Sequence, residues 1–265
     1  MLVRDLGDRF QLVLQPDHGE LSGQIAAAWI DDDTLSAELR AALVLAAMRH
    51  DDGWAVWERH PRLDAHGRPQ IFYDVERHSL LSSYRAAVDV LQREGPAAAL
   101  LVSMHVAGLQ RNRYGEMTEH TAITPLEDLE PEIQEFVRGE EQRQEKLVAD
   151  LNIDERERWR AYRLLQVYDL LSLYLGLAAV DRGETTTVAL APGDDGAERL
   201  ELVPADAPWT ICCEPFPFAS APTQLQMPRR LVAKGDCAEE ASFRLAFHAA
   251  PVETVVICLT PAPDA

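Results

Sequence analysis

Successive helix-like segments of this chain each carry a side chain able to bind a metal ion. His18 lies in QPDHGELSGQIA, His50 and Asp51 follow LSAELRAALVLAAM, and His78 opens HSLLSSYRAAV. His105 sits in PAAALLVSMHVAGLQ among Leu100, Leu101, Val102, Met104, Val106 and Leu109, and Asp169 sits in AYRLLQVYDLLSLYLGLAAV among Leu165, Val167, Leu170, Leu171 and Leu173. An ionised aspartate in such surroundings costs several kcal/mol unless it is paired or bound to a cation. Asp169 is therefore expected to have a specific partner, either a metal or a base such as Arg163 or Arg85. Neutral imidazoles and carboxylates suit Fe, Mn, Ni or Zn, and six such groups suit two octahedral divalent ions. The chemistry they would support is activation of a metal-bound water, with the cations absorbing the charge that develops at the reacting centre.

Those groups depend on helices to position them. Apolar residues recurring every three to four positions predict helices over about 18–30, 34–50, 77–94, 96–112, 128–150 and 154–182. The stretch between the second and third, WERHPRLDAHGRPQIFYDVERH, reads as a surface loop. Residues 1–14 alternate as a hairpin around Leu6-Gly7-Asp8. After Gly183 the chain becomes rich in β-branched residues and turn formers, as in TTTVALAPGDDGAERLELVPADAPWTICC. The expected architecture is mainly α, α+β overall. It has a hairpin at 1–14, a helical bundle at 15–182, and a small antiparallel β-rich unit at 183–265 that the hairpin could complete.

The ordered series His18, His50-Asp51, His78, His105, Asp169 resembles the HD-domain superfamily of metal-dependent phosphohydrolases, which takes its name from the adjacent His-Asp pair. More narrowly, QPDHGELSGQIA, HDDGW and LLVSMH look like a bacterial family known only as a domain of unknown function. The resemblance covers about residues 15–182 and implies an HD-like bundle. It further implies that His18, His50, Asp51 and Asp169 hold one metal, that Asp51 bridges to a second, and that His78 and His105 complete that second site. The activity it implies is hydrolysis of a small phosphorylated metabolite or nucleotide. A dinuclear iron oxygenase of the same superfamily is the alternative, and a non-catalytic metal- or ligand-binding protein is a second alternative. Where several hydrolase branches carry a lysine after the His-Asp pair, this chain has Asp52-Gly53-Trp54. Arg111 and Arg113 are the candidates to supply the missing positive charge, since a guanidinium fork matches a phosphate or carboxylate; the plain alternative is that they favour a helix C-terminus. His120, Tyr114 and Glu116 are weaker candidates from the following loop.

Composition narrows the partners. The formal net charge is −19, from 44 acidic and 25 basic residues, which disfavours nucleic acid and anionic lipid over most of the surface. A small, anionic substrate remains the expected partner, and a homodimer stays open. No segment reads as a signal peptide or membrane span, so a cytoplasmic location is expected. Cys212, Cys213, Cys237 and Cys258 lack metal-site spacing and read as reduced thiols. Phosphate-binding glycine loops and the serine nucleophile elbow are absent.

Overall fold

The helix with no polar stripe is the one around which the others are arranged. In the computed structural model, which describes residues 1–30, 34–113, 124–177, 185–190 and 198–263, helix α5 (Pro96–Gln110) is buried at every position from Ala98 to Gly108. Four helices pack on it: α2 (Ala37–Arg49), α4 (Arg77–Glu94), α6 (Pro131–Leu151) and α7 (Glu155–Leu177). A segment apolar on all sides is stable in water only inside such a ring. Helix α1 (Gln15–Ala28) lies against α2 and α7. A short helix α3 (Ala55–Glu58) follows the 3-10 turn Asp52–Trp54.

Two glycines set the α1–α2 distance. A Cβ placed on Gly23 would lie 2.6 Å from the Met48 Cβ and 2.8 Å from its Cα, and one on Gly19 would lie 2.9 Å from the Met48 carbonyl oxygen. The backbones of the two helices can approach this closely only because neither position carries a side chain.

The strands form one seven-stranded sheet in the order β1-β2-β6-β7-β5-β4-β3. These are β1 (Leu2–Asp5), β2 (Arg9–Val13), β3 (Thr186–Ala189), β4 (Arg199–Pro204), β5 (Thr210–Glu214), β6 (Thr223–Ala233) and β7 (Glu253–Pro261). The N-terminal hairpin joins the C-terminal strands through β2, where Arg9 pairs with Ala233 and Leu12 with Arg230. The chain is thus mainly helical and α+β overall. The tail departs from the expected purely antiparallel unit in two ways: β5 and β7 run parallel, and ASFRLAFHA forms most of helix α8 (Glu240–Ala249). That helix buries Phe243 and Phe247 with Phe10, Leu12 and Val232 in a second, smaller core, a 3.6-residue pattern that the neighbouring strand-like run obscured. The sheet also binds the helices directly: Trp29 bridges to Phe218, and Gln24 exchanges two hydrogen bonds with the Gln226 backbone. No helix among the described residues is long and apolar enough to cross a membrane.

Gly23→Ala should destabilise the fold by roughly 1–3 kcal/mol through overpacking at a backbone contact. Gly139→Ala, in α6 where an added Cβ meets nothing within 4 Å, should instead stabilise by about 0.5–1 kcal/mol. Urea unfolding midpoints of the two variants measure the difference, and equal effects would refute the packing argument.

Candidate metal centre

Pro16 occupies the first turn of α1, where its missing N–H is not needed. The helix therefore starts at Gln15 and carries His18 on its second turn. Helix α2 ends at Arg49, with His50 still in helical conformation and Asp51 leaving it at φ −109°, ψ 10°. The Trp54 N–H then donates to the Asp51 carbonyl at 3.0 Å and closes the turn. Had α2 continued, adjacent side chains would point about 100° apart; the turn lets His50 and Asp51 face the same point. His105 comes from the middle of α5 and Asp169 from the middle of α7.

Five groups meet there. The Asp169 Oδ1 lies 2.8 Å from His18 Nε2 and 3.4 Å from His50 Nε2, and its Oδ2 lies 3.6 Å from His105 Nε2. The Asp51 Oδ2 lies 3.5 Å from His50 Nε2 and 3.8 Å from His18 Nε2. Metal bonds of about 2.0–2.2 Å put neighbouring ligand atoms about 2.8–3.6 Å apart in octahedral or tetrahedral shells. The contacts are thus mostly longer than hydrogen bonds but close to the spacing of ligands around one centre. His18-His50-Asp51 and His50-His105-Asp169 each gather their donor atoms within 4.8 Å of one another, and all five residues are buried.

The outer shell fixes which nitrogen faces inward. The His50 Nδ1–H donates to the Ala47 carbonyl at 2.9 Å. The Ser172 hydroxyl donates to the Asp169 carbonyl at 2.8 Å, so at its 3.0 Å contact with His18 Nδ1 it accepts. Both imidazoles therefore turn Nε2 towards the carboxylates, as metal-binding histidines held by a second hydrogen bond do. The His50 Nε2 makes no hydrogen bond of normal geometry although it is buried. Gln15 donates its amide to Asp51 Oδ2 at 2.8 Å, and its backbone N–H donates to Glu58 Oε2 at 2.9 Å. Glu58 in turn pairs with the buried Met1 amino group.

Burial opposes charge on His50, Asp51, His105 and Asp169, and neighbours decide which one yields. It pushes His105 down to about 4 and raises Asp51. At His50 burial also works downward, but the carboxylates of Asp51 and Asp169 outweigh it and lift the imidazole to about 9. For Asp169 burial works upward, yet the His18 hydrogen bond and the charge of the neighbouring His50 hold the carboxyl well below its usual range. Without a metal, the cluster is thus an imidazolium–carboxylate assembly. Three imidazoles and two carboxylates also carry the charge that a divalent ion would neutralise, so the residues fit such an ion.

Three of the expected site residues are elsewhere. His78 is on the first turn of α4 with its ring 85% exposed, 3.7 Å from Glu132. The Arg111 guanidinium pairs with Glu141 at 2.6 Å and contacts the Thr124 carbonyl. Arg113 lies over the Trp159 ring at 5.2 Å. The Arg113 Nε is buried and has no hydrogen-bond partner among the described residues. Tyr114, Glu116 and His120 lie outside the described residues. Conversely, Gln15 and Ser172 belong to the site although their types did not mark them. Each stands three residues from a ligand on its helix, the spacing that puts side chains on one face.

A comparison with protein-family models matches residues 1–234 to the family described as Protein of unknown function (DUF3891), and the chain belongs to it. No curated protein and no solved structure matches. This corrects the HD-domain resemblance. The matched region includes the N-terminal hairpin and strands β3 to β6, which the resemblance left out, and the chain builds a mixed seven-stranded sheet instead of a self-contained helical bundle.

Two predictions follow from the shell and the charges. Ser172→Ala removes the acceptor of the His18 Nδ1–H and should weaken metal binding about 10–100-fold in a chelator competition, with His78→Ala unchanged. In chelator-treated protein, His50 has a folded pKa above its ordinary 6.5. Its contribution is therefore full below pH 6.5 and is lost as pH rises through about 9, on the order of 3 kcal/mol. His105, lowered to about 4, acts in the opposite sense and erodes stability as pH falls from about 6.5 towards 4. Unfolding midpoints across pH 5–10 should be highest between these limits for the chelated protein. A midpoint rising from pH 7 to 9 would refute the charge assignment.

Proposed function

We propose that this DUF3891 protein is a hydrolase that depends on one divalent transition-metal ion held by His18, His50, Asp51, His105 and Asp169. The observation that carries this reading is the meeting of three imidazoles and two carboxylates from four buried helix segments, in two groups that share His50 and each hold their donor atoms within 4.8 Å. Nitrogen and oxygen donors without thiolate favour Fe, Mn, Ni or Zn over softer ions. One ion is favoured over two because the two ligand groups share His50 and the sixth candidate, His78, is at the surface. Such an ion supplies Lewis acidity and makes a water molecule acidic near neutral pH.

The protein residues divide the remaining work. Asp169 stays ionised and anchors the three imidazoles. Asp51 binds the ion through the carboxylate that Gln15 holds in place. The substrate must be small, because the imidazoles are 1–3% exposed and the carboxylate side chains 7–8%. That enclosure also supports a second reading, a metal-binding protein without turnover.

Protein purified without a polyhistidine tag should contain about one divalent ion per chain by mass spectrometry. Asp169→Ala and a His50→Ala, Asp51→Ala double variant should lose it, and His78→Ala should keep it. The loaded parent should hydrolyse simple chromogenic esters, with activity removed by chelator and restored by metal. Metal-free parent protein would end the reading, and bound metal with no turnover would favour the second one.

A further inference from the structure

The Gln15 side-chain amide has two ends, and the site as described uses only one of them. Its Nε2 donates to Asp51 Oδ2 at 2.8 Å, while its Oε1 is buried and has no hydrogen-bond partner among the described residues. An ionised carboxylate only accepts, and only the nitrogen of an amide donates, so this orientation is the one the chemistry requires. The whole residue is 2% exposed, which keeps bulk solvent from the oxygen. A buried acceptor of this kind is nearly always matched by a donor.

Fixed bonds place that oxygen close to the ligand atoms. The oxygen and nitrogen of an amide are about 2.3 Å apart, so Oε1 lies within roughly 5 Å of Asp51 Oδ2. The same Asp51 oxygen is 3.5 Å from His50 Nε2, a second buried atom without a hydrogen bond of normal geometry. Gln15 has little room to swing away, because it opens α1 and its backbone N–H is held by Glu58 Oε2 at 2.9 Å. Neighbouring ligand atoms of one ion are about 2.8–3.6 Å apart, so a molecule that shares the ion with Asp51 comes within reach of Gln15 Oε1. A water-sized occupant needs only about 10–15 Å³. An amide oxygen attracts an O–H or N–H there and disfavours an atom that carries only lone pairs.

Building on the metal-dependent hydrolase reading, we infer that Gln15 is a specificity-determining residue of the site. Its Oε1 accepts a hydrogen bond from a small molecule that carries an O–H or N–H beside the atom that binds the ion. The centre therefore prefers hydrogen-bond donors, water among them, over molecules of the same shape that only accept. One amide thus holds the Asp51 carboxylate with its nitrogen and orients the neighbouring molecule with its oxygen. In the hydrolysis this serves, Gln15 orients water and exchanges no proton.

The test uses full-length protein loaded with cobalt(II), as parent, Gln15→Met and Gln15→Glu, matched for metal content. Acetohydroxamic acid and N-methylacetohydroxamic acid, which differ in the N–H, are titrated while the visible spectrum of the ion is followed. The parent should bind the N–H probe roughly tenfold more tightly than its methylated form. Gln15→Met, which removes both ends of the amide, should abolish that preference. Gln15→Glu loses the donor to Asp51 but keeps an acceptor in place, so it should hold metal less tightly and retain the preference. Equal binding of the two probes by the parent overturns the inference without recourse to any variant. So does a Gln15→Met protein that weakens both probes alike, the mark of a residue that only holds Asp51. Turnover of a chromogenic acetate is read in parallel on the parent. Turnover without the probe preference sinks the inference and leaves the hydrolase standing, whereas the preference without turnover sinks the hydrolase and leaves the Gln15 acceptor.

Discussion

The helical half of this protein is organised around one buried carboxylate. Asp169 sits in the middle of α7 and meets imidazoles from α1, α2 and α5, the nearest at 2.8 Å. An ionised group in that position is tolerable only if several partners share its charge, and each of those partners must be brought in by a different helix. This requirement explains features that hydrophobic packing alone leaves unexplained. The α1–α2 approach is closer than side chains permit, α2 stops where His50 and Asp51 can both turn inward, and a serine three residues along α7 both caps the Asp169 carbonyl and orients His18.

Charge arithmetic ties that arrangement to its chemistry. The chain as a whole is strongly acidic at −19, yet the cluster pairs two carboxylates with three bases and draws on no arginine or lysine. A proton on His50 offsets part of that charge when no metal is present, and most separations exceed hydrogen-bond length and approach the spacing of ligands around a divalent ion. A surface of such negative charge repels polyanions and would slow the approach of a highly charged phosphate.

Much of this was legible in the sequence, for a physical reason. His105 and Asp169 interrupt helices that are apolar on nearly every face, and a polar group there has to be satisfied, so its presence is itself information. His78 followed the same helical order, but α4 is amphipathic and its first turn looks outward; position in a series does not say which face a residue takes. The arginines after α5 have charge but no register, and the Glu141 and Thr124 partners that claim Arg111 come from elsewhere in the chain. Helix α8 was hidden because its two phenylalanines lie beside a long run of β-formers. The parallel pairing of β5 with β7 depends on long-range contacts, which no local pattern encodes.

The sheet also bears on why an isolated helical bundle was the wrong frame. Strand β2 ends at Val13, two residues before α1 begins, so the sheet fixes the entry angle of the helix that carries His18. From the same strand, Gln11 donates its amide to the Gly176 carbonyl at 3.2 Å near the end of α7, and Arg229 on β6 donates to the Gln11 Oε1 at 3.0 Å. Leu2 on β1 packs where Gly176 offers no side chain. The hairpin thus holds α1 and α7 together from one end, and those two helices carry the closest contact in the cluster, His18 to Asp169. A boundary drawn at residue 15 would cut through the structure that sets this distance. The sheet is therefore part of the construction of the candidate metal centre, and a family model that spans residues 1–234 covers the hairpin, the helices and the strand β6 on which β2 pairs.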